Sequence, residues 1–340
     1  MPVPKKTYLL GIIGLLTVFS CSLQKEKLPI RGFPSDALPQ LEDIEKILRR
    51  TPSKSLLNEY MLVMADEPHH GGSPQSRLVA EYALKKFKEW GFSAEIEEFE
   101  ALMPFPITRS VELLYPTRFV AKMKEPILKE DKDSADKNQL PTYNAYAKDG
   151  DVTGELVFAN YGRPEDYAHL DSLGVDLSGR IVIVKYTQGV RSAKIKLAFE
   201  RGAIGGIIYS DPMDDGFTKG EVYPKGPWRP EDAVQRGTVL DYAATYPGDP
   251  LSPGWGSKKG GKKLKQSEAK NLAAIPVVPL SYGDAKPLLE ALGGTLAPND
   301  WKGGLSIPYH TGPGPARVRI QNISDWQVRT LYNVIAKIQG

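Results

Sequence analysis

The stretch SGRIVIVKYTQGVRSAKIKLAFERGAIGGIIYSDP, residues 178–212, decides the fold. Ile181, Val182, Ile183 and Val184 form an unbroken β-branched run behind the turn residues Ser178 and Gly179. A strand buried on both faces reads this way. A loop over residues 186–191 follows, and then Ile195, Leu197, Ala198 and Phe199 recur at helical spacing until Gly202 ends the helix. A second apolar run over residues 204–209 completes a β-α-β unit before Ser210, Asp211 and Pro212 turn the chain. The fold class is therefore α/β, of a mixed α+β kind. Ligands of such units gather where strands end and loops begin, and the loop here carries Arg191. Spacing alone leaves Arg191 open between a ligand-binding cation and an ordinary solvated one.

Outward from this unit, further blocks follow in order: GELVFANYGRPEDY (154–167), VQRG (234–237), GDPLSPGW (248–255), IPVVPLSYGDAKPLLEALGG (275–294) and GGLSIPYHTGPG (303–314). Together they closely resemble the protease-associated (PA) domain of the glutamate carboxypeptidase II and transferrin receptor family. The resemblance covers residues 39–340 and rests on many ordered blocks, not on one short motif. It implies a PA domain inserted into the start of a zinc exopeptidase α/β domain, incomplete here, with the PA surface forming part of the substrate pocket. It also implies a metallopeptidase of the carboxypeptidase or dipeptidase kind, a hydrolase that uses two zinc ions and works as a homodimer. Arg191 falls where the family places the arginine that grips the free α-carboxylate of a peptide substrate. Thr238 falls where the family's asparagine meets a terminal glutamate side chain; a threonine still offers a hydroxyl but reaches less far. Ser252 and Trp255 fall on a turn that supplies half of a structural calcium site in the family, here through backbone carbonyls.

The chain is expected to begin with a lipoprotein signal peptide (1–21) and a polar, proline-bearing tether (22–38), and the resemblance then divides it into the first part of the exopeptidase domain (39–105), the PA domain (106–328) and a resumption of the exopeptidase domain (329–340). Lys5 and Lys6 precede an apolar stretch over residues 8–19, too short for a comfortable membrane span, which ends at Cys21. Cys21 is the only cysteine, so no internal disulfide is available. The segment resembles a bacterial lipoprotein signal, which makes Cys21 the lipid attachment point and places the protein in the cell envelope. Ser22, not being an aspartate, favours the outer membrane by the same analogy. Apolar residues at 41% and charged residues at 25% describe a globular chain, and a formal charge of +3 gives no reason to expect nucleic acid. The lysines at 258, 259, 262, 263 and 265 read as a solvated loop.

Helices are expected over 41–49 and 53–65, and an amphipathic helix from Ser76 to its cap at Gly91. The alternation of AEIEEFEAL (94–102) marks a half-buried strand. The chain is expected to leave the exopeptidase domain near 104–108, to form a separate strand over 110–122, and to run through a charged loop over 124–139. Asn322-Ile323-Ser324 matches a glycosylation acceptor, a match without use in a bacterial lipoprotein.

No residue reads as catalytic. The four histidines are His69, His70, His169 and His310, and none has a metal-ligand spacing. By the resemblance, the zinc ligands begin just beyond the block LYNVIAKIQG (331–340), so the chain is expected to be the truncated front of a longer peptidase, inactive by itself. Two functions remain open. One is the anchor and substrate-recognition portion of a zinc carboxypeptidase or dipeptidase. The other is a non-catalytic envelope lipoprotein whose PA domain binds peptides or protein partners.

Overall fold

A computed structural model describes residues 30–339. The chain divides into two compact units, one up to Met61 and one from Leu62 onward. Within the first, α1 (Leu38–Arg50) buries Leu38 and leaves Ile44, Ile47 and Leu48 exposed. Helix α2 (Lys54–Ala65) begins after Ser53, whose hydroxyl accepts from the Leu56 N–H at 3.4 Å. Helix α1 extends the expected 41–49 at both ends, and α2 starts one residue inside the expected 53–65.

The second unit opens with α3 (Pro74–Glu89), where Ser73 caps the Ser76 N–H and proline sits in the first turn. Next comes β1 (Ser93–Tyr115), then β2 (Phe119–Val120), β3 (Asn144–Ala145) and β4 (Gly150–Phe158). Three strand-helix steps follow: α4 (Pro164–Ser172) leads to β5 (Ile181–Lys185), α5 (Arg191–Phe199) to β6 (Gly205–Tyr209), and α6 (Pro212–Asp215) to a long excursion. That excursion carries β7 (Gly237–Thr238), after which β8 (Val277–Leu280), α7 (Tyr282–Glu290) and β9 (Arg317–Lys337) complete the unit.

Seven strands make one sheet in the order β2-β1-β9-β4-β5-β6-β8, and β3 pairs with β7 separately. The strands from β4 to β8 are parallel, joined by helices as the β-α-β reading requires. Every residue of β5 and β6 is buried. Helix α5 packs so closely on β6 that a methyl group on Gly206 would lie 2.6 Å from Ile195. Strand β4 joins two halves: residues 150–155 run antiparallel to β9, and residues 156–158 run parallel to β5.

Where two separate strands were expected, β1 is a single strand of 23 residues, paired with β9 along its length. The prolines at 104 and 106 do not interrupt it. The Glu100 N–H donates outward to the Ser257 carbonyl at 2.7 Å, and the Leu102 N–H donates outward to Asp249 at 2.8 Å. Pro104 and Pro106 share that parity, so they lack only donors aimed away from β9. The register slips between Pro106 and Thr108, the bulge that proline invites, and again between Leu113 and Tyr115.

The outward edge of β1 is covered by residues 249–265. Tyr146 donates its hydroxyl to the Leu102 carbonyl at 2.7 Å, Phe99 bridges to Lys258, and Lys259 and Lys263 pair with Glu98 and Glu100, each at 2.7 Å. The lysine run expected as a solvated loop is thus partly an edge cover. Asn322 is buried and donates to the Lys148 carbonyl at 3.1 Å, so the folded chain withholds it from any modifying enzyme.

Candidate functional site

The site lies at the carboxyl end of β5. After Lys185 the chain passes Tyr186 and Thr187, then Gln188 and Gly189, whose φ angles of 55° and 110° are left-handed. Val190 caps α5, and Arg191 is its first residue, not the last residue of a loop as the sequence suggests. The apolar spacing of α5 begins only at Ile195, so nothing in the pattern marks the helix start one turn earlier.

The Arg191 Nε donates to the Thr238 carbonyl at 2.8 Å, and its guanidinium carbon stands 5.3 Å from the centre of the Tyr186 ring. The structure therefore brings the two residues singled out from sequence into direct contact, although it is the backbone of Thr238 that touches Arg191. The Thr238 hydroxyl accepts from the Leu240 N–H at 3.0 Å and lies 3.5 Å from the Ala145 carbonyl. Strand β7 is held against β3, which fixes the height of the Thr238 carbonyl.

Two residues missed from sequence complete the seat. Tyr186 donates to the Arg236 carbonyl at 2.9 Å, which pins its ring beneath Arg191. Burial raises the Tyr186 pKa, with the Arg191 charge opposing. Gly237 has no side chain where one would collide: a Cβ there would sit 2.5 Å from the Tyr186 hydroxyl and 2.7 Å from the Arg191 guanidinium carbon. The glycine of VQRG was the available signal, though a lone glycine does not say what approaches it.

Among the described residues Arg191 shares with Arg109 a half-buried guanidinium that meets no carboxylate. Arg163, Arg180, Arg201, Arg229, Arg236, Arg319 and Arg329 each face a carboxylate within 3.2 Å. Among the described residues Arg191 is half-buried and forms no ion pair of this kind, so the guanidinium keeps its capacity for a planar, two-oxygen anion. Nearby, Arg236 grips Glu125 through two bonds of 2.9 and 2.7 Å. Burial opposes the Glu125 charge, but the Arg236 bonds and charge and the Val234 N–H bring its carboxyl below the ordinary value. Glu125 and Arg236 line a cavity of about 450 Å³ together with Glu67, His69 and His70. A second, of about 400 Å³, is walled by Tyr223, Trp228 and Arg229. Neither is lined by Arg191 or Thr238.

The histidines lie apart from one another in use. His69 contacts the Glu67 carbonyl, His70 stacks edge-on against Phe105, His169 lies against Trp301, and His310 bridges to Leu296. Among the described residues no group of three or more His, Cys, Asp or Glu could hold a metal ion, so these residues do not fit zinc. The turn at 249–255 is likewise engaged internally. The Ser252 hydroxyl donates to Asp249 at 2.7 Å, its carbonyl accepts from the Trp255 N–H at 3.4 Å, and the Trp255 indole donates to the Lys262 carbonyl at 2.8 Å. Two carbonyls are far from the six to eight oxygens that calcium takes. Cys21, with the whole signal segment and residues 22–29 of the tether, lies outside the described residues, and no described helix is long and apolar enough to cross a membrane.

The family model "PA domain" matches residues 152–241, a span that contains Arg191, Tyr186, Gly237 and Thr238. The chain is 32% identical over 323 residues to a probable glutamate carboxypeptidase of Arthroderma benhamiae, covering 91% of this chain and 44% of that one. It is 31% identical over 353 residues to the mouse aminopeptidase NAALADL1, covering 98% of this chain and 46% of that one. The chain thus spans less than half the length of these relatives. A solved peptidase M28 precursor from Shewanella amazonensis superposes with a TM-score of 0.46 at 16% identity, covering 89% of this chain and 54% of that one.

Proposed function

The chain belongs to the glutamate carboxypeptidase family and carries its PA domain, and from that premise we propose that it supplies the substrate-recognition surface of a zinc-dependent carboxypeptidase or dipeptidase. The observation that carries this reading is the seat of Arg191. A half-buried arginine has its Nε committed to Thr238, a tyrosine ring beneath it and no carboxylate partner among the described residues. Such a fork suits the free C-terminal carboxylate of a peptide, gripped by two parallel hydrogen bonds. Hydrolysis belongs to a zinc centre that the described residues do not form, and no step of it is derived from them. Thr238 would add a hydroxyl beside the carboxylate once that hydroxyl turns from Ala145. An acylated Cys21 would hold this surface at the outer membrane of the envelope; Cys21→Ala should then abolish labelling by a fatty-acid analogue, and labelling that persists would remove the anchor.

The test of recognition is calorimetric. Acylated dipeptides ending in a free carboxylate are compared with their C-terminal amides, in the parent protein and in Arg191→Ala. A charge-assisted hydrogen bond is worth roughly 1.5–3 kcal/mol, so the free acid should bind the parent at least about tenfold more tightly than the amide. Arg191→Ala should erase that preference. Equal binding of acid and amide by the parent protein would overturn the reading.

A further inference from the structure

We propose that Lys194 is the positioning residue for Arg191, tying the loop that sets the guanidinium in place to the neighbouring loop of the sheet. The inference rests on the carboxylate-binding reading of Arg191 for its purpose but not for its geometry. Lys194 stands one turn after Arg191 on α5, and helical side chains lean toward the N-terminus, so Lys194 reaches back to the loop that precedes its own helix. It is 1% exposed. Its ammonium donates to the Thr187 carbonyl at 2.8 Å, to the Gln188 carbonyl at 2.9 Å, and to the Tyr161 carbonyl. Three donors meet three acceptors, two on the loop after β5 and one on the loop after β4.

That loop needs holding. Gln188 carries a positive φ that side chains rarely adopt, and such a conformation persists only where surroundings impose it. The second tie is Asp214 of α6, which accepts from the Thr187 hydroxyl and from Tyr161 at 3.1 Å. The charges that face Lys194 are Asp166 of α4, Arg163 at the N-cap of α4 and Asp214 of α6, with the Tyr161 ring 5.8 Å away. Among the described residues none of these makes an ion pair with it, so carbonyls alone receive the ammonium.

Burial draws the Lys194 ammonium down to about 8. A neutral amine has two donors and turns a lone pair on the third carbonyl. The loop should therefore loosen as pH rises through that value. Global stability moves the other way. The folded pKa is depressed, so between about 8 and the ordinary 10.5 the unfolded chain binds more protons, and this group's contribution rises with pH. A merely structural lysine would not separate the two readouts.

The experiment follows amide hydrogen exchange of residues 187–191, normalised for intrinsic rate, and the Arg191 Nε–H resonance, between pH 6.5 and 9 in the full chain. Loss of one hydrogen bond corresponds to about a two- to tenfold fall in protection, with β5 and β6 unchanged and the Nε–H signal weakening in step. Lys194→Arg, which keeps its charge, should flatten the step, and Lys194→Met should show low protection at both pH values. If neither variant folds, the parent's pH step decides alone. Unchanged protection across the window in the parent overturns the proposal. Free-acid dipeptide affinity is then measured over the same range. A fall in step with the loop supports both readings. A loop step with constant affinity retains Lys194 as the positioning residue and removes carboxylate binding by Arg191.

Discussion

The parallel strands β5 and β6 and the outer ends of β1 and β9 are both strands of one sheet, yet they are held by different physics. In β5 and β6 every residue is buried, and Ile181, Val182, Ile183, Val184, Ile207 and Ile208 have no exposed surface at all. In β1 the first residues alternate between exposed and half-buried, and Val328 and Ile323 of β9 are open to solvent. Burial supplies the first region. In the second, hydrogen bonds and charges from residues 146 and 249–265 do the holding along one edge, and α3 covers part of a face. A sheet can therefore change its source of cohesion from strand to strand.

The largest test of that contrast is a truncation in each region. Ile183→Ala should cost about 2–5 kcal/mol, the range for emptying a packed core site, whereas Val334→Ala on half-buried β9 should cost less than about 1.5 kcal/mol. Urea denaturation of the two variants measures both, and equal costs would break the comparison. Next in size is Asp249→Ala, which strips the Leu102 N–H and the Ser252 hydroxyl of their acceptor. It should cost about 1–3 kcal/mol, with amide exchange at Leu102 rising while β5 stays protected. Removing calcium with a chelator should leave the parent Tm unchanged. A chelator effect as large as that of Asp249→Ala would mean that the turn is held by a cation.

The smallest effect belongs to the charges. Lys263→Ala should lower Tm less than Asp249→Ala does, and added salt should shrink the difference further. The pH dependence has a definite sign. The Lys263 hydrogen bond and the Gly260 N–H hold the Glu100 carboxyl below its ordinary 4.5. A depressed carboxyl contributes stability above that value and loses it as pH falls through the folded pKa. Lys263→Ala should thus differ from the parent at pH 6 and converge on it in strong acid. A difference that persists there would point to packing by the lysine stem.

The same contrast governs what could be read from residues alone. The run 181–184 and the repeat at 195, 198 and 199 announce a buried strand and its helix because burial writes apolar residues into consecutive positions. Strand β1 was legible only as a fragment. Its prolines read as an exit from a domain, since sequence does not reveal which N–H groups point away from a partner. Arg191 and Thr238 were found through resemblance, and the structure puts them in contact. Tyr186, Gly237 and Lys194 were missed because each acts through a neighbour 3 to 51 residues away, Lys194 on Gln188 and Arg191, Tyr186 and Gly237 on one another. Partnerships of that sort leave no periodic trace. In the lysine run Lys258, Lys259, Lys262 and Lys265 are exposed as their charge suggests, while the ion pairs of Lys259 and Lys263 that close an edge leave no mark in the residues.

The pairing of Tyr115 with Arg317 sets an order in time. A ribosome adds about 5–20 residues per second, and the partner of Tyr115 lies 317 − 115 = 202 residues later, so β1 waits roughly 10–40 s for its neighbour. The β4–β6 units can close during that wait, because their contacts are short in sequence. Strand β9 then slots between β1 and β4, joining the early chain to the later one in a single act of zippering. Until it does, a 23-residue strand has an open inner edge. The nascent chain is therefore exposed to misassociation at β1 for as long as β9 is unmade.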